Sequence, residues 1–286
     1  MGGSTYDYSA RSARTLSYAS KSQQEIFSSR FHESMNPEKI VLRESRDSDN
    51  HPNSLAIIIG LDVTGSMGSI PENLIRHYLP KFISSLMEKG IADPQILFVA
   101  IGDHIKDIAP LQIGQFESGD AEMDLWLERV YLEGGGGGNY HESYPLAWYF
   151  AGNKTSIDCF EKRGIKGFLF TIGDEGYHEN YSASSLNNIF GSGMENSEAK
   201  DWYDQVCKMY NVYHVHCRDG NHGTHPEIQW RKLLKENLIT VNDSSDVFNK
   251  ISNTIIDNFK KDNHMIVNSP VSNESLENDT EFKITL

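Results

Sequence analysis

The sequence offers little sulfur chemistry. Its 286 residues hold three cysteines, Cys159, Cys207 and Cys217. An odd number at wide spacing is no disulfide framework and points to a reducing compartment. Long apolar runs are missing as well, since none approaches the ~20 residues that a membrane helix needs. The opening residues, MGGSTYDYSARSART, lack the apolar stretch of a secretory leader. Gly2 could accept a myristoyl group, but Tyr6 stands where that signal wants Ser or Thr. Positive charge is scarce: 26 Lys and Arg face 40 Asp and Glu, for a formal net charge of -14. Phosphate backbones and anionic lipid repel such a chain, so no nucleic-acid partner and no membrane partner is expected. These absences together predict a soluble, intracellular protein of the cytoplasm.

What is present is enough apolar material for a core, at 38% hydrophobic residues. Its distribution divides the chain in three. Residues 1–53 are Ser-rich and polar, an arm expected to be partly ordered, with short helices possible at 23–31 and 37–43. Residues 54–261 carry the periodic pattern of a folded domain. Residues 262–286 are Asn/Ser/Glu-rich and aperiodic, and read as a flexible tail. No internal repeat interrupts this order.

Within the domain, buried-strand patterns alternate with helical ones. LAIIIGL (55–61), QILFVAI (95–101), KGFLFTI (166–172) and NVYHVHC (211–217) are apolar runs bounded by turn residues, as strands covered on both faces require. Residues 105–116 suit an edge hairpin partner. Ser69 and Glu72 have capping-box spacing ahead of a helix whose Ile75, Leu79, Phe82 and Leu86 form one stripe. Further helices are expected at 121–132, 145–151, 197–210, 227–236 and 247–259, with a short last strand at Ile239 and Val241. Strands alternating with helices predict an α/β fold: a doubly wound, mostly parallel sheet with helices on both faces.

Such sheets bind ligands beyond the carboxyl ends of their strands. Three loops at such ends carry oxygen donors. Asp62-Val63-Thr64-Gly65-Ser66 follows the first strand. A run of five glycines, Gly134 to Gly138, leads to Asn139, Glu142 and Ser143. Gly173-Asp174-Glu175 follows the third buried strand. Hard oxygen donors suit Mg²⁺, Mn²⁺ or Ca²⁺. Spacing by two lets Asp62, Thr64 and Ser66 turn to one side of an extended loop. Ionised Asp62 and Asp174 would offset the positive end of the helix behind them.

DVTGSM after an apolar strand resembles the Asp-x-Ser/Thr-x-Ser signature of von Willebrand factor A (vWA) domains, the metal-ion-dependent adhesion site. TIGDE resembles that family's later Asp-bearing strand end, and the glycine-rich turn resembles its middle loop; the likeness spans residues 55–261. The resemblance implies a divalent ion held directly by Thr64 and Ser66, with Asp62 and Asp174 acting directly or through water. In the middle loop this chain offers Asn139 where the family places Thr, with Glu142 and Ser143 as alternatives. It also implies that the open coordination position receives a Glu or Asp from a protein partner. Intracellular bacterial members work beside AAA+ ATPases of the MoxR kind, so such an ATPase is one partner it suggests.

Other chemistries compete for the same residues. Asp62, Thr64 and Ser66 could simply cap the following helix, and Asp174 could be a turn residue. The glycine run lacks the Gly-Lys-Ser/Thr of a phosphate loop. His214 and His216 share a strand face, and with His222 or His225 could hold zinc, although no CxxC or HExxH spacing supports this. His104, His141 and His178 fall near strand-end loops without an assignable role. A metal-dependent hydrolase using the same strand-end site is the alternative to a binding module. No catalytic triad can be drawn from the sequence.

Overall fold

The structure, a computed structural model, describes residue 7, residues 21–133 and residues 140–268. The predicted α/β sheet is present. Its six strands are β1 (Leu55–Asp62), β2 (Pro94–Ile101), β3 (Leu111–Ile113), β4 (Gly167–Gly173), β5 (Tyr210–Cys217) and β6 (Leu238–Val241). They lie in the order β6-β5-β4-β1-β2-β3. All neighbours are parallel except β3, which runs antiparallel to β2 at the edge where the sequence places a hairpin partner. Every residue of β1, β2 and β4 is buried, which explains their unbroken apolar runs.

Helices cover both faces. α1 (Leu79–Glu88) continues from a turn at Ile70–Asn73 through a π-turn at Leu74–Tyr78. Pro80 has no N–H to give the preceding turn, and the Leu79 amide reaches back five residues to the Leu74 carbonyl. Ser69 precedes this helix as the sequence predicts, yet its side chain makes no capping bond. α2 (Asp120–Glu128), α3 (Pro145–Asn153), α4 (Ala183–Phe190), α5 (Ala199–Val206), α6 (Glu227–Leu234) and α7 (Val247–Asn268) complete the set. α1 packs on α7 through Phe82 and Phe248, whose rings are 4.9 Å apart. α3 packs on α5 through Trp148 and Tyr203, 5.5 Å apart. Trp148 and Trp230 are fully buried, and each contributes about as much as the largest core side chains do, roughly 3 kcal/mol or more.

From residue 21 onward the arm lies against the domain. Arg43–Ser45 forms a short parallel pairing with Thr155–Ile157, and Ile26, Phe27, Met35 and Ile40 are buried. Residues 1–20, apart from Asp7, and residues 269–286 lie outside the described residues, as does the greater part of the tail.

The topology fixes where a ligand can sit. From β1 the chain winds outward through β2 to β3, then returns to β4 and winds the other way. Between the carboxyl ends of β1 and β4 the connections diverge, and we call this switch point, where such sheets take their ligands, the crevice. Asp62 is the last residue of β1, and Asp174 directly follows β4.

Candidate metal centre

The crevice gathers four of the five residues singled out from the sequence. Asp62 Oδ1 accepts from the Thr64 backbone amide at 2.9 Å and from the Thr64 hydroxyl at 2.6 Å. Thr64 Oγ1 lies 3.2 Å from Ser66 Oγ, which donates to Asp174 Oδ1 at 2.8 Å. Side chains distant in sequence thus form one continuous oxygen chain, Asp62–Thr64–Ser66–Asp174. Each hydroxyl can give its proton to a carboxylate and keep its lone pairs for a cation. Both aspartates are fully buried, whereas Ser66 is half-buried and marks the open side.

The remaining oxygens of the aspartates are also held. Tyr144, at the start of α3, donates its hydroxyl to Asp62 Oδ2 at 2.6 Å. Burial, then the charges of Asp62, Asp174 and Glu142, drive the Tyr144 hydroxyl well above its ordinary range, so it remains a donor. The Asn221 backbone amide donates to Asp174 Oδ2 at 2.7 Å. Two glycines permit these approaches. A Cβ on Gly173 would stand 1.9 Å from the Tyr144 hydroxyl, and one on Gly220 would stand 2.5 Å from Asp174 Oδ2.

Two more carboxyls close on the same crevice. Glu142 is buried in a short strand, His141–Glu142, paired parallel with Gly176–Tyr177 beyond β4. Glu175 is buried beside Asp174, and its Oε1 meets His222 Nε2 at 2.8 Å. Among the described residues, Glu142 Oε2 and Glu175 Oε2 are buried with no hydrogen-bond partner. Such crowding disfavours negative charge. Burial pushes the Asp62 carboxyl up to about 7, with the Asp174 charge acting the same way, against the hydrogen bonds from Thr64 and Tyr144. Burial, then the charges of Asp62, Glu175, Asp103 and Asp107, pushes Glu142 higher still. Arg218, the nearby guanidinium of the β5 loop, is engaged with Glu227 instead. Four buried carboxyls, two of them with an orphaned oxygen, form an oxygen-rich cluster whose charge a divalent ion would balance.

Asn139, the fifth residue singled out, lies outside the described residues. Of its alternatives, Ser143 is occupied elsewhere, since its hydroxyl lies 2.8 Å from both the backbone nitrogen and Nδ1 of His104. Glu142 is the one on which Asp62 acts, more strongly than any other neighbouring charge does. Sequence reasoning missed Tyr144, which reads as an ordinary aromatic before a helix-starting proline, and missed the Asn221 amide, which has no side-chain signature at all.

The histidines of β5 are core residues. His214 stacks on Trp230 with ring centroids 3.7 Å apart and an interplanar angle of 10°, and its Nδ1 meets Thr171 Oγ1 at 2.9 Å. His216 bonds the Gly223 carbonyl, and His222 is turned to Glu175. The zinc grouping considered for them is not assembled. A different trio comes together: Asp103, His104 and His178.

No family model matches the chain, and no curated protein matches it. Solved structures do. Proximal thread matrix protein 1 from the mussel byssus aligns with TM-score 0.46 and 10% identity over 71% of this chain and 47% of its own. The pilus adhesin SpaC from Lactobacillus rhamnosus GG aligns with TM-score 0.43 and 11% identity over 76% of this chain and 32% of its own. An aerotolerance-related membrane protein from Bacteroides fragilis aligns with TM-score 0.42 and 15% identity over 71% of this chain and 99% of its own. The chain therefore spans less than half the length of the first two. Among the described residues, no helix is long and apolar enough to cross a membrane.

Proposed function

We propose that the chain is a vWA-like, divalent-metal-dependent protein-binding module. The observation that carries this reading is the buried cluster of Asp62, Asp174, Glu142 and Glu175, joined to the Thr64 and Ser66 hydroxyls at the switch point of the sheet. Asp62, Thr64, Ser66 and Asp174 would hold Mg²⁺, or Mn²⁺ or Ca²⁺, with Glu142 or Asn139 serving the middle loop. The ion would supply a Lewis-acidic position for an incoming carboxylate. The chain's own residues do the rest. Tyr144 and the Asn221 amide hold the two aspartates at fixed angles, and half-buried Ser66 marks the side from which a partner's Glu or Asp approaches.

The rim favours a protein over a small substrate. Ile105 and Ile108, on the loop after β2, are 59% and 78% exposed, and Tyr140, just ahead of Glu142, is 61% exposed. Large apolar side chains held in water on loops at the same end of the sheet as the candidate site suit a docking face more than a hydrolytic pocket. An AAA+ ATPase of the MoxR kind is one partner that could present the carboxylate; this part of the proposal rests on the sequence resemblance alone.

The test is binding of the purified protein to an array of Glu- and Asp-containing peptides, with Mg²⁺ and then with EDTA, for wild type and Asp62→Ala. Carboxylate-dependent binding that needs Mg²⁺ and disappears in Asp62→Ala is expected. Equal binding in EDTA would contradict the metal bridge, and turnover of a generic phosphoester in Mg²⁺ would favour the hydrolase instead.

A further inference from the structure

Next to the carboxylate cluster, the loop after β2 and the segment after β4 assemble a second donor set of different chemistry. Asp103, His104 and His178 each offer one ligand atom, a carboxylate oxygen and a ring nitrogen from each histidine, and these atoms lie within 4.8 Å of one another. Asp103 Oδ1 is 2.9 Å from His178 Nε2 and 3.7 Å from His104 Nδ1. The Asp103 side chain is 1% exposed, that of His104 5% and that of His178 13%, so the set is sheltered with one more open edge. Its members are held in place before any ligand arrives. Asp103 Oδ1 also accepts the Ile105 amide at 3.0 Å. The His104 ring stands edge-on to that of His178 at 4.6 Å and lies against Tyr181 at 4.7 Å.

We propose that Asp103, His104 and His178 form a binding site for a borderline transition-metal ion of the Zn²⁺ class, which staples the β2 loop to the segment following β4. Two imidazoles and one carboxylate suit Zn²⁺ and its first-row neighbours, whereas the all-oxygen crevice suits Mg²⁺ or Ca²⁺. With bonds of about 2.0–2.1 Å, a tetrahedral Zn²⁺ sets neighbouring donors roughly 3.3–3.4 Å apart. The distances of 2.9 and 3.7 Å bracket that spacing. The two ring nitrogens lie within 4.8 Å of each other, so movements on the order of an ångström or less in the imidazoles admit the ion, and the fourth position falls to water. Entry of the metal replaces the contacts of Asp103 with His178 and of His104 Nδ1 with the Ser143 hydroxyl by three metal–ligand bonds, and any proton shared in the Asp103–His178 contact leaves to solvent. The ion joins loops that are 75 residues apart in sequence. Those loops flank Glu142: the His178 amide donates to the Glu142 carbonyl at 3.3 Å.

The site and the carboxylate cluster are independent in ligands, so their tests separate. The full chain is stripped of metal and titrated with Co²⁺, read by visible absorption, and with Zn²⁺, read by thermal melting. Wild type and Asp62→Ala should both develop the visible bands of nitrogen-ligated cobalt and both gain thermal stability from Zn²⁺. His178→Gln and His104→Gln should lose both responses. Because either variant could fold poorly, the unmodified protein carries a second readout: Co²⁺ should shift the ring-proton resonances of His104 and His178 through its unpaired electrons. Undiminished bands in His178→Gln, or unshifted His104 and His178 rings in wild type, would overturn the proposal. Loss of the bands in Asp62→Ala would also overturn it, by putting the ion in the carboxylate crevice.

Discussion

Glu142→Gln separates the two states of the crevice. Glu142 is buried, its Oε2 has no partner among the described residues, and burial together with neighbouring carboxylates holds its carboxyl protonated at neutral pH. Gln is also neutral and of nearly the same size. In EDTA the substitution therefore replaces one neutral group by another of nearly the same shape, and stability should change by about 1 kcal/mol or less. With a divalent ion present the comparison reverses. Glu can give up its proton to the solvent and face the cation with a negative charge, and Gln cannot. A unit charge about 4 Å from a dication is worth roughly 8 kcal/mol at an effective dielectric of ~20, and releasing a proton whose pKa is pushed up to about 11 takes back roughly 5 at neutral pH, so losing the charge should cost on the order of 3 kcal/mol, or about a hundredfold in affinity. At Mg²⁺ of about 100 times its dissociation constant, wild type gains ~2.7 kcal/mol, which raises the melting midpoint by roughly 5–11 °C. The variant at the same Mg²⁺ would sit near its own dissociation constant and gain only ~0.4 kcal/mol, or about 1–2 °C. Paired thermal melts in EDTA and Mg²⁺ measure all four values. An Mg²⁺ response in Glu142→Gln equal to that of wild type would refute the reasoning, since it would mean that Glu142 stays protonated or distant when the ion is bound.

Three further outcomes follow from the same geometry. Tyr144→Phe removes the 2.6 Å donor to Asp62 Oδ2 and should cost about 1–3 kcal/mol in urea unfolding with EDTA, because a buried acceptor is left unsatisfied. Gly173→Ala places a methyl 1.9 Å from the Tyr144 hydroxyl; it should destabilise by ~1–3 kcal/mol and weaken the Mg²⁺ response by moving Tyr144 off Asp62. The Asp62 carboxyl is raised from 3.8 to about 7, so the folded state holds this proton more tightly than the unfolded chain does. Its contribution to stability in EDTA should therefore decline as pH climbs from 3.8 towards 7, while the Mg²⁺-induced gain should grow over the same range. A pH series of melts with and without Mg²⁺ reads both slopes, and an Mg²⁺ gain that is flat with pH would count against Asp62 as a ligand.

The elements most legible in the sequence were those fixed by burial on two faces. LAIIIGL, QILFVAI and GFLFTI are strands because their every position is covered, and a run of that kind reads the same with or without its neighbours. Asp62, Thr64, Ser66 and Asp174 were legible because their chemistry sits at the ends of such strands. The contacts that complete the crevice were not. Tyr144 reaches Asp62 across 82 residues, and its tyrosine-proline context looks like any helix start. Asn221 contributes a backbone amide, which no residue type announces. Glu142 could be named as an alternative to Asn139, but its burial comes with the short pairing with Gly176–Tyr177, two residues long and below what pattern can reveal. The π-turn at Leu74–Tyr78 lies just ahead of Pro80, which has no N–H to donate, and no residue pattern announces it. The trio of Asp103, His104 and His178 becomes visible only when the loops after β2 and β4 meet.

The most direct test of the metal centre is a crystal structure of the protein grown with Mn²⁺ and EDTA-treated controls, read by anomalous scattering at the manganese edge. The account predicts an anomalous peak between the ends of β1 and β4, bounded by the Thr64 and Ser66 hydroxyls and the Asp62 and Asp174 carboxylates, and no such peak in Asp62→Ala. A crevice without anomalous density in wild type, at Mn²⁺ that saturates any thermal response, would contradict it.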